Sequence, residues 1–472
     1  MIDTKSIREK IIDLAISGKL TEHYEGDSII ELENAIKILG NKERRFIDDS
    51  EKWTDIPSNW DWTTLASITN SNYLGDGNWV LSSDMVANGE VKLIQLGCIG
   101  DCVFKHKGFK YLTEEHFKEL NGKQIYPGYL LINRLVVDKM VACIIPEIKG
   151  ILCTAVDVCW VAPNSGIYDI QYLMYALSST EFRRTVKELG HGVTRFRISK
   201  LNLIDIAFPF PPLAEQKRIV SAVEDAFAII DRIENAQESY YADQEVLKNK
   251  IIDAGIRGKL TEQLPEDGNA EDLYVQIQEE KARLIAGGRI KKEKPLPPIA
   301  EDEVPFEIPK NWKWVRLGDI STYGIKNEKI QPCNMLPEQW LLELEDIEAG
   351  GRLLQKTRVK DRTPKGEKVV FSKGNILYSK LRPYLKKVLI AEDDGIATPE
   401  IIPFKSYAGT EHGYLKECLI STYFDKAVNQ RSFGVKMPRV DTEFMRNMLI
   451  PLPPLAEQKR IVKRIYSFCL IC

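Results

Sequence analysis

Between Leu213 and Ala254 the apolar positions step by three and four through Ile219, Val220, Val223, Phe227, Ile230, Ile233, Tyr240, Leu247 and Ile251. That spacing predicts one continuous helix with a coiled-coil seam. Gln237 and Gln244 fall on the seam and weaken it or set its register. Pro211 and Pro212 suit the helix start, Glu215 its first turn and Gly258 its stop. At 1.5 Å per residue the helix would run about 60 Å. A helix that long needs a partner, and the two chain ends are the natural source of an antiparallel one.

On either side of this helix the pattern changes to short apolar runs separated by turns. Val91–Ile99, Tyr129–Val137, Met140–Pro146 and Ala155–Pro163 read as strands on one side. Trp340–Ile347, Asn375–Arg382 and Lys386–Ala391 are their counterparts on the other. Each side also carries a helical pattern, Ile167–Leu189 and Gly413–Gln430. The predicted fold is α+β: two mixed α/β domains in a pseudo-two-fold arrangement, separated by long antiparallel coiled-coil helices.

Repeats support two equivalent domains. The decapeptide PPLAEQKRIV occurs at Pro211–Val220 and again at Pro453–Val462. KIIDLAISGKLTE at Lys10–Glu22 matches KIIDAGIRGKLTE at Lys250–Glu262, and IPSNWDW at Ile56–Trp62 matches IPKNWKW at Ile308–Trp314. Repeats this far apart mark a duplicated domain rather than a solenoid unit. The chain begins partway through the unit and ends partway through it, and only the middle holds both helical pieces joined. The expected divisions are an N-terminal helical segment (1–52), a first domain (53–210), the central helix and linker (211–303), a second domain (304–452) and a C-terminal helix (453–472). The outer helical arm built from the two ends is about ten residues shorter than the middle, about 15 Å of helix. A truncated outer docking helix is therefore expected.

Composition narrows the class. With 44% hydrophobic and 28% charged residues in 472, the chain reads as soluble and globular. It has no apolar run long enough to span a membrane and no apolar signal core at its start, so a cytoplasmic location is expected. Cys98, Cys102, Cys143, Cys153 and Cys159 lie among apolar residues and read as buried reduced thiols; Cys469 and Cys472 form a lone CxxC. No phosphate-binding loop, nucleophile elbow or HExxH occurs, and no two of the five histidines stand at metal-ligand spacing. No catalytic residue, metal or cofactor is expected. Trp60/Trp62 and Trp312/Trp314 read as packing residues.

The formal net charge of −3 counts mildly against a nucleic-acid partner, but the charge is segregated. Basic residues cluster in four segments. Arg134 and Lys139 lie in one, and His191, Arg195, Arg197 and Lys200 in a second. Lys380, Arg382, Lys386 and Lys387 lie in a third, and Lys436, Arg439 and Arg446 in a fourth. Lysine and arginine suit phosphates, and arginine also reads guanine edges. Gly192 and Gly434 precede two of these runs, as in a loop that approaches something closely. A solvated basic face is the plainer reading of any one cluster. A coiled-coil scaffold that binds only proteins is the alternative function.

The repeated PPLAEQKRIV, the GKLTE element, the IPxNWxW opening and GNILYSKLRPYLKKV at Gly374–Val388 together resemble the specificity subunit of type I restriction-modification systems. The resemblance covers nearly the whole chain. It implies two target-recognition domains, each reading half of a split double-stranded DNA site. The interiors diverge between Ser67 and Gly190 against Ser321 and Ser432, which implies an asymmetric site. It also implies a helical ruler, about 18 base pairs long at 3.4 Å per step. That helix, through Ile219, Val223, Phe227, Ile230, Ile233, Tyr240, Leu247 and Ile251, would dock two modification subunits. Those subunits carry the methyltransferase chemistry and its S-adenosylmethionine, and restriction subunits join through the complex.

Overall fold

In the computed structural model the described residues are 2–24, 26–27, 37, 45–193, 195–434 and 437–469. They form a mixed α+β structure that divides into two compact units, Met1–Glu238 and Ser239–Cys472. The division falls inside one long helix, Leu213–Ile256, close to its predicted bounds. Among the described residues no helix is long and apolar enough to cross a membrane.

The first unit opens with the helix Thr4–Ile16. Strand Asp61–Thr63 pairs antiparallel with Phe208–Phe210, so the two borders of the expected recognition domain close on each other. Inside lies an antiparallel sheet in the order Leu74–Asp76, Val158–Val161, Leu130–Asn133, Val141–Ile144. A smaller sheet places Val91–Ile94 between Lys110–Leu112 and a parallel neighbour, Ile151–Thr154. In the second unit Lys313–Arg316 pairs with Leu449–Leu452 in the same way. Its sheets are Lys329–Ile330, Lys368–Phe371, Gly395–Ala397, Trp340–Leu342, and Val388–Ile390, Ile376–Ser379, Ile401–Phe404. Here too one pair, Trp340–Leu342 with Gly395–Ala397, is parallel. The strands are shorter than their apolar runs, because residues 96–98 and 344–346 turn into 3-10 helix.

The two predicted mid-domain helices are each broken by a serine. Ile170–Ser178 and Thr180–Leu189 meet at Ser179, and His412–Ile420 and Thr422–Arg431 meet at Ser421. Each break exposes backbone N–H groups, and a carboxylate from another helix accepts one of them. Asp13 accepts from the Thr180 N–H at 2.8 Å, and Asp253 from the Thr422 N–H at 3.0 Å.

The repeated helical pieces pair within each unit. In the first, the N-terminal helix runs antiparallel along the central one: the Ile2 N–H reaches Gln237, and Arg8 pairs with Asp231 and Glu234 at 2.5 and 2.9 Å. In the second, the helix Leu455–Cys469 packs Ile461 and Ile465 beside Gly255 of the central helix.

The AEQKR letters explain themselves at these junctions. Glu215 is fully buried, accepts from Asn59 at 3.2 Å and meets the His23 ring at 2.5 Å. Its counterpart Glu457 is also fully buried and accepts from Thr261, Gln263 and the Trp312 indole at 3.1, 2.9 and 2.8 Å. Gln216 and Gln458 accept from the Asp169 and Glu411 N–H groups and donate back to Pro211 and Pro453. Arg218 pairs with Asp27, and Arg460 with Asp267. Hydrogen bonding from Arg460 holds the Asp267 carboxyl below its ordinary range. The tryptophans do pack: Trp60, Trp62 and Trp312 are buried, and Trp314 stacks edge-on against Phe306 and Tyr423.

Removing the Glu457 carboxylate strands the buried Trp312 indole N–H and takes an acceptor from Thr261 and Gln263, which costs about 2–4 kcal/mol. Glu457→Ala is expected to accelerate amide hydrogen exchange across residues 239–472 and leave residues 1–238 at their original rates.

Candidate nucleic-acid interface

The four basic segments meet in pairs. In the first unit the loop from Arg134 to Lys139 joins strands Leu130–Asn133 and Val141–Ile144. It lies against a small hairpin closed by reciprocal His191–Arg197 hydrogen bonds of 2.9 Å. The Val136 N–H donates to Phe196 and the Ile198 N–H to Arg134, fastening loop to hairpin. In the second unit the loop from Lys380 to Lys387 meets a hairpin closed between Phe433 and Arg439. The Arg382 N–H donates to Pro438 at 2.7 Å and the Val440 N–H to Lys380 at 3.1 Å.

Gly192 and Gly434 serve the hairpins themselves, a correction to the close-approach reading. Both have positive φ, +111° and +101°. A Cβ on Gly192 would stand 2.4 Å from the Arg195 carbonyl oxygen, so the turn excludes any side chain there.

Most of the expected cations are committed inside the protein. Arg134 is only 7% exposed and bonds Asp76 at 2.8 Å and the Ile198 carbonyl at 3.1 Å, which removes it from the surface. Lys139 is held by Glu9 and Asp101 at 2.7 and 2.5 Å. Arg446 pairs with Glu293 and Glu443, and Arg439 grips Glu400 through both Nε and a terminal nitrogen. That bond holds the Glu400 carboxyl low and the Arg439 guanidinium high. Arg197 faces Asp157 at 3.4 Å, and Lys386 faces Asp425 at 3.4 Å. Lys387 donates to the Leu344 carbonyl, and burial and then Arg382 push its pKa down. His191 is exposed, and Lys200 and Lys380 are half-buried. Lys436 lies outside the described residues, as does Cys472 of the CxxC. Of the arginines, Arg195 and Arg382 remain, both exposed and without an ion pair among the described residues.

Arg382 has a distinctive setting. It and Lys386 adopt the left-handed backbone region, with φ of 50° and 49°, and bracket a 3-10 turn at Pro383–Leu385. Such backbone is uncommon outside glycine and clusters where a side chain must be aimed. Tyr384 at the turn is exposed. Arg382, Leu385, Lys387 and Met437 line a cavity of about 330 Å³ at this loop. The corresponding loop of the first unit offers exposed Val137 instead.

A third loop in each unit was missed by sequence reasoning. In the first unit a turn bridged between Ile99 and Phe104 is tied to the first loop by the Asp101–Lys139 pair. In the second, a turn bridged between Ile347 and Leu353 is tied by the Gly350 N–H to the Leu385 carbonyl at 2.9 Å. Beyond the first of these turns runs KHKGFK, in which Lys105, His106, Lys107 and Lys110 are all exposed. The signal was a dense basic run, overlooked because it follows no strand end comparable to Ser379.

Along the central helix, Ile219, Val223 and Ile230 are buried, and Phe227, Ile233 and Ile251 are half-buried. Tyr240 and Leu247 are 56% and 45% exposed. The seam is thus covered toward both ends and open in its middle. No cluster of histidine, cysteine or carboxylate side chains suited to a metal occurs among the described residues. Burial pushes the thiols of Cys143, Cys153 and Cys159 up to about 12, as befits inert core cysteines.

Residues 309–470 match the family described as the type I restriction modification DNA specificity domain. The chain is 27% identical to the type I restriction enzyme EcoAI specificity subunit of Escherichia coli, over 99% of this chain and 89% of that protein. It is 24% identical to the EcoEI specificity subunit of the same organism, over the same shares. A chain from a solved structure concerned with assembly and conformational transition of the type I R-M system shares the fold, with a TM-score of 0.54 over 88% of this chain and 91% of that one, at 15% identity. Residues 309–470 thus carry the type I restriction modification DNA specificity domain, and the chain is similar along nearly its whole length to the specificity subunits of type I restriction enzymes.

Proposed function

We propose that the two units read unlike halves of one split, asymmetric duplex DNA site, through recognition domains at about residues 53–210 and 304–452. One observation carries this reading: in each unit separate basic segments converge as adjacent loops and leave an exposed arginine, Arg195 or Arg382, at the surface. Loops on a rigid scaffold are the usual place for recognition side chains. The loops differ in chemistry, Arg382 and Tyr384 against Val137 and Asp138, which supports unlike half-sites. The pseudo-two-fold arrangement across an antiparallel coiled coil belongs to the same proposal, supported by the matching helix junctions within each unit. The chain itself contributes recognition, and the methyltransferase, nuclease and ATPase chemistry belongs to partner subunits.

Two modification subunits are proposed to dock along the central helix, where Tyr240 and Leu247 leave apolar surface open. Restriction subunits would join through that complex. The decisive experiment is methylome sequencing of cells that express the chain with its modification partner. A split adenine-methylated motif is expected, and its absence in an active complex would overturn the reading.

Lys380→Ala with Arg382→Ala should weaken duplex binding and reduce the salt slope by about 1–2, with the melting temperature unchanged. Arg134→Ala should instead lower stability and leave the salt slope unchanged. Stranding Asp76 beside an emptied site costs about 3 kcal/mol of stability, read from urea unfolding. Tyr240→Asp with Leu247→Asp should release the modification subunit in analytical ultracentrifugation while circular dichroism stays unchanged.

A further inference from the structure

The third loops of the two units occupy the same place in the chain topology. Each follows the bridged turn described above and leads to a segment that pairs with the strand having a parallel neighbour, Val91–Ile94 or Trp340–Leu342. Both ribbons are rich in cations, yet their electrostatic settings are opposite. In the second unit Lys356 pairs with Asp393, and Arg358 and Lys360 both pair with Glu338. Further along, Arg362 bonds the buried Asp346 at 2.7 Å. In the first unit Lys105, Lys107 and Lys110 are exposed and have no carboxylate partner among the described residues. Three like charges within six residues repel one another, and nothing on their own strand offsets that repulsion. Phe104 stands beside them, edge-on to His106 at 5.1 Å, and Phe109 lies beneath the Lys92 ammonium. A polyanion is the partner that relieves such a ribbon.

We propose that Lys105, Lys107 and Lys110 form a phosphate-backbone grip for duplex DNA that exists in the first unit alone. The inference rests on the DNA reading above and goes beyond it by assigning the two units unequal work. The first unit supplies most of the salt-dependent, sequence-independent hold. The second, its cations already neutralised by its own carboxylates, contributes mainly through the aimed Arg382 turn. Backbone contacts fix register and orientation without carrying sequence information, so a one-sided grip places the protein on DNA before both halves are read.

The test uses the full chain and a 30-base-pair duplex, with affinity measured by fluorescence anisotropy over a range of KCl. Salt-dependent binding by the unmodified chain checks the DNA reading itself, and its absence would sink that reading rather than this one. Each lost phosphate contact lowers the slope of log affinity against log salt by about 0.9. K105A/K107A/K110A is expected to lower it by about 2–3 and to weaken binding by about 10- to 100-fold at 0.1 M salt, with an unchanged melting temperature. K356A/R358A/K360A is expected to leave the slope within about 0.5 of the original. Lysine-to-arginine changes at 105, 107 and 110 should restore both slope and affinity, which separates charge from folding. The proposal is overturned if the first triple variant keeps the original slope, or if the second flattens it equally.

Discussion

A carboxylate buried at the start of a helix organises each half of this protein. Glu215 and Glu457 sit where the dipole of their own helix favours negative charge, yet no solvent reaches them. A buried carboxylate is tolerable only when donors surround it. Those donors come from the GKLTE piece and from the opening of the recognition domain: His23 and Asn59 in one unit, Thr261, Gln263 and Trp312 in the other. One side chain thus joins three segments that are distant in sequence. The neighbouring glutamine fastens the mid-domain helix through the Asp169 or Glu411 N–H, and the arginine two residues on binds an aspartate beyond the GKLTE turn. The decapeptide is repeated unchanged because nearly every polar letter in it has a structural partner.

The same logic of internal pairing shapes the basic loops. A basic residue near a recognition surface can bind phosphate only if its own protein has not already neutralised it. Arg134, Lys139, Arg439 and Arg446 hold loops and helices in place. Their charge is spent on the geometry of the protein itself. The cations left over are fewer and are unequally divided between the units. The near-neutral overall charge therefore says little about DNA affinity, since most charges cancel locally.

The duplication was legible because identical decapeptides need no folding theory to recognise. The central helix was legible because its apolar period persists over many turns. The α+β character followed from alternating runs, although strand ends did not, since the 3-10 turns at Leu96–Cys98 and Leu344–Asp346 interrupt apolar stretches that look continuous. The breaks at Ser179 and Ser421 were hidden for a related reason. Ser421 caps its own helix through the Phe424 N–H, but Asp13 and Asp253 lie on other helices and add caps no local window contains.

By itself, then, the sequence determined the duplication, the long helix and the family that the chain resembles, because repeats and periodicity are properties of order along the chain. Only the tertiary structure decided which charges remain available. Lys139 and Lys107 look alike in sequence, but one is enclosed by Glu9 and Asp101 and the other by no carboxylate among the described residues. Coulomb interactions depend on distance and burial in space, and those are fixed by how remote segments pack, not by which letters stand side by side.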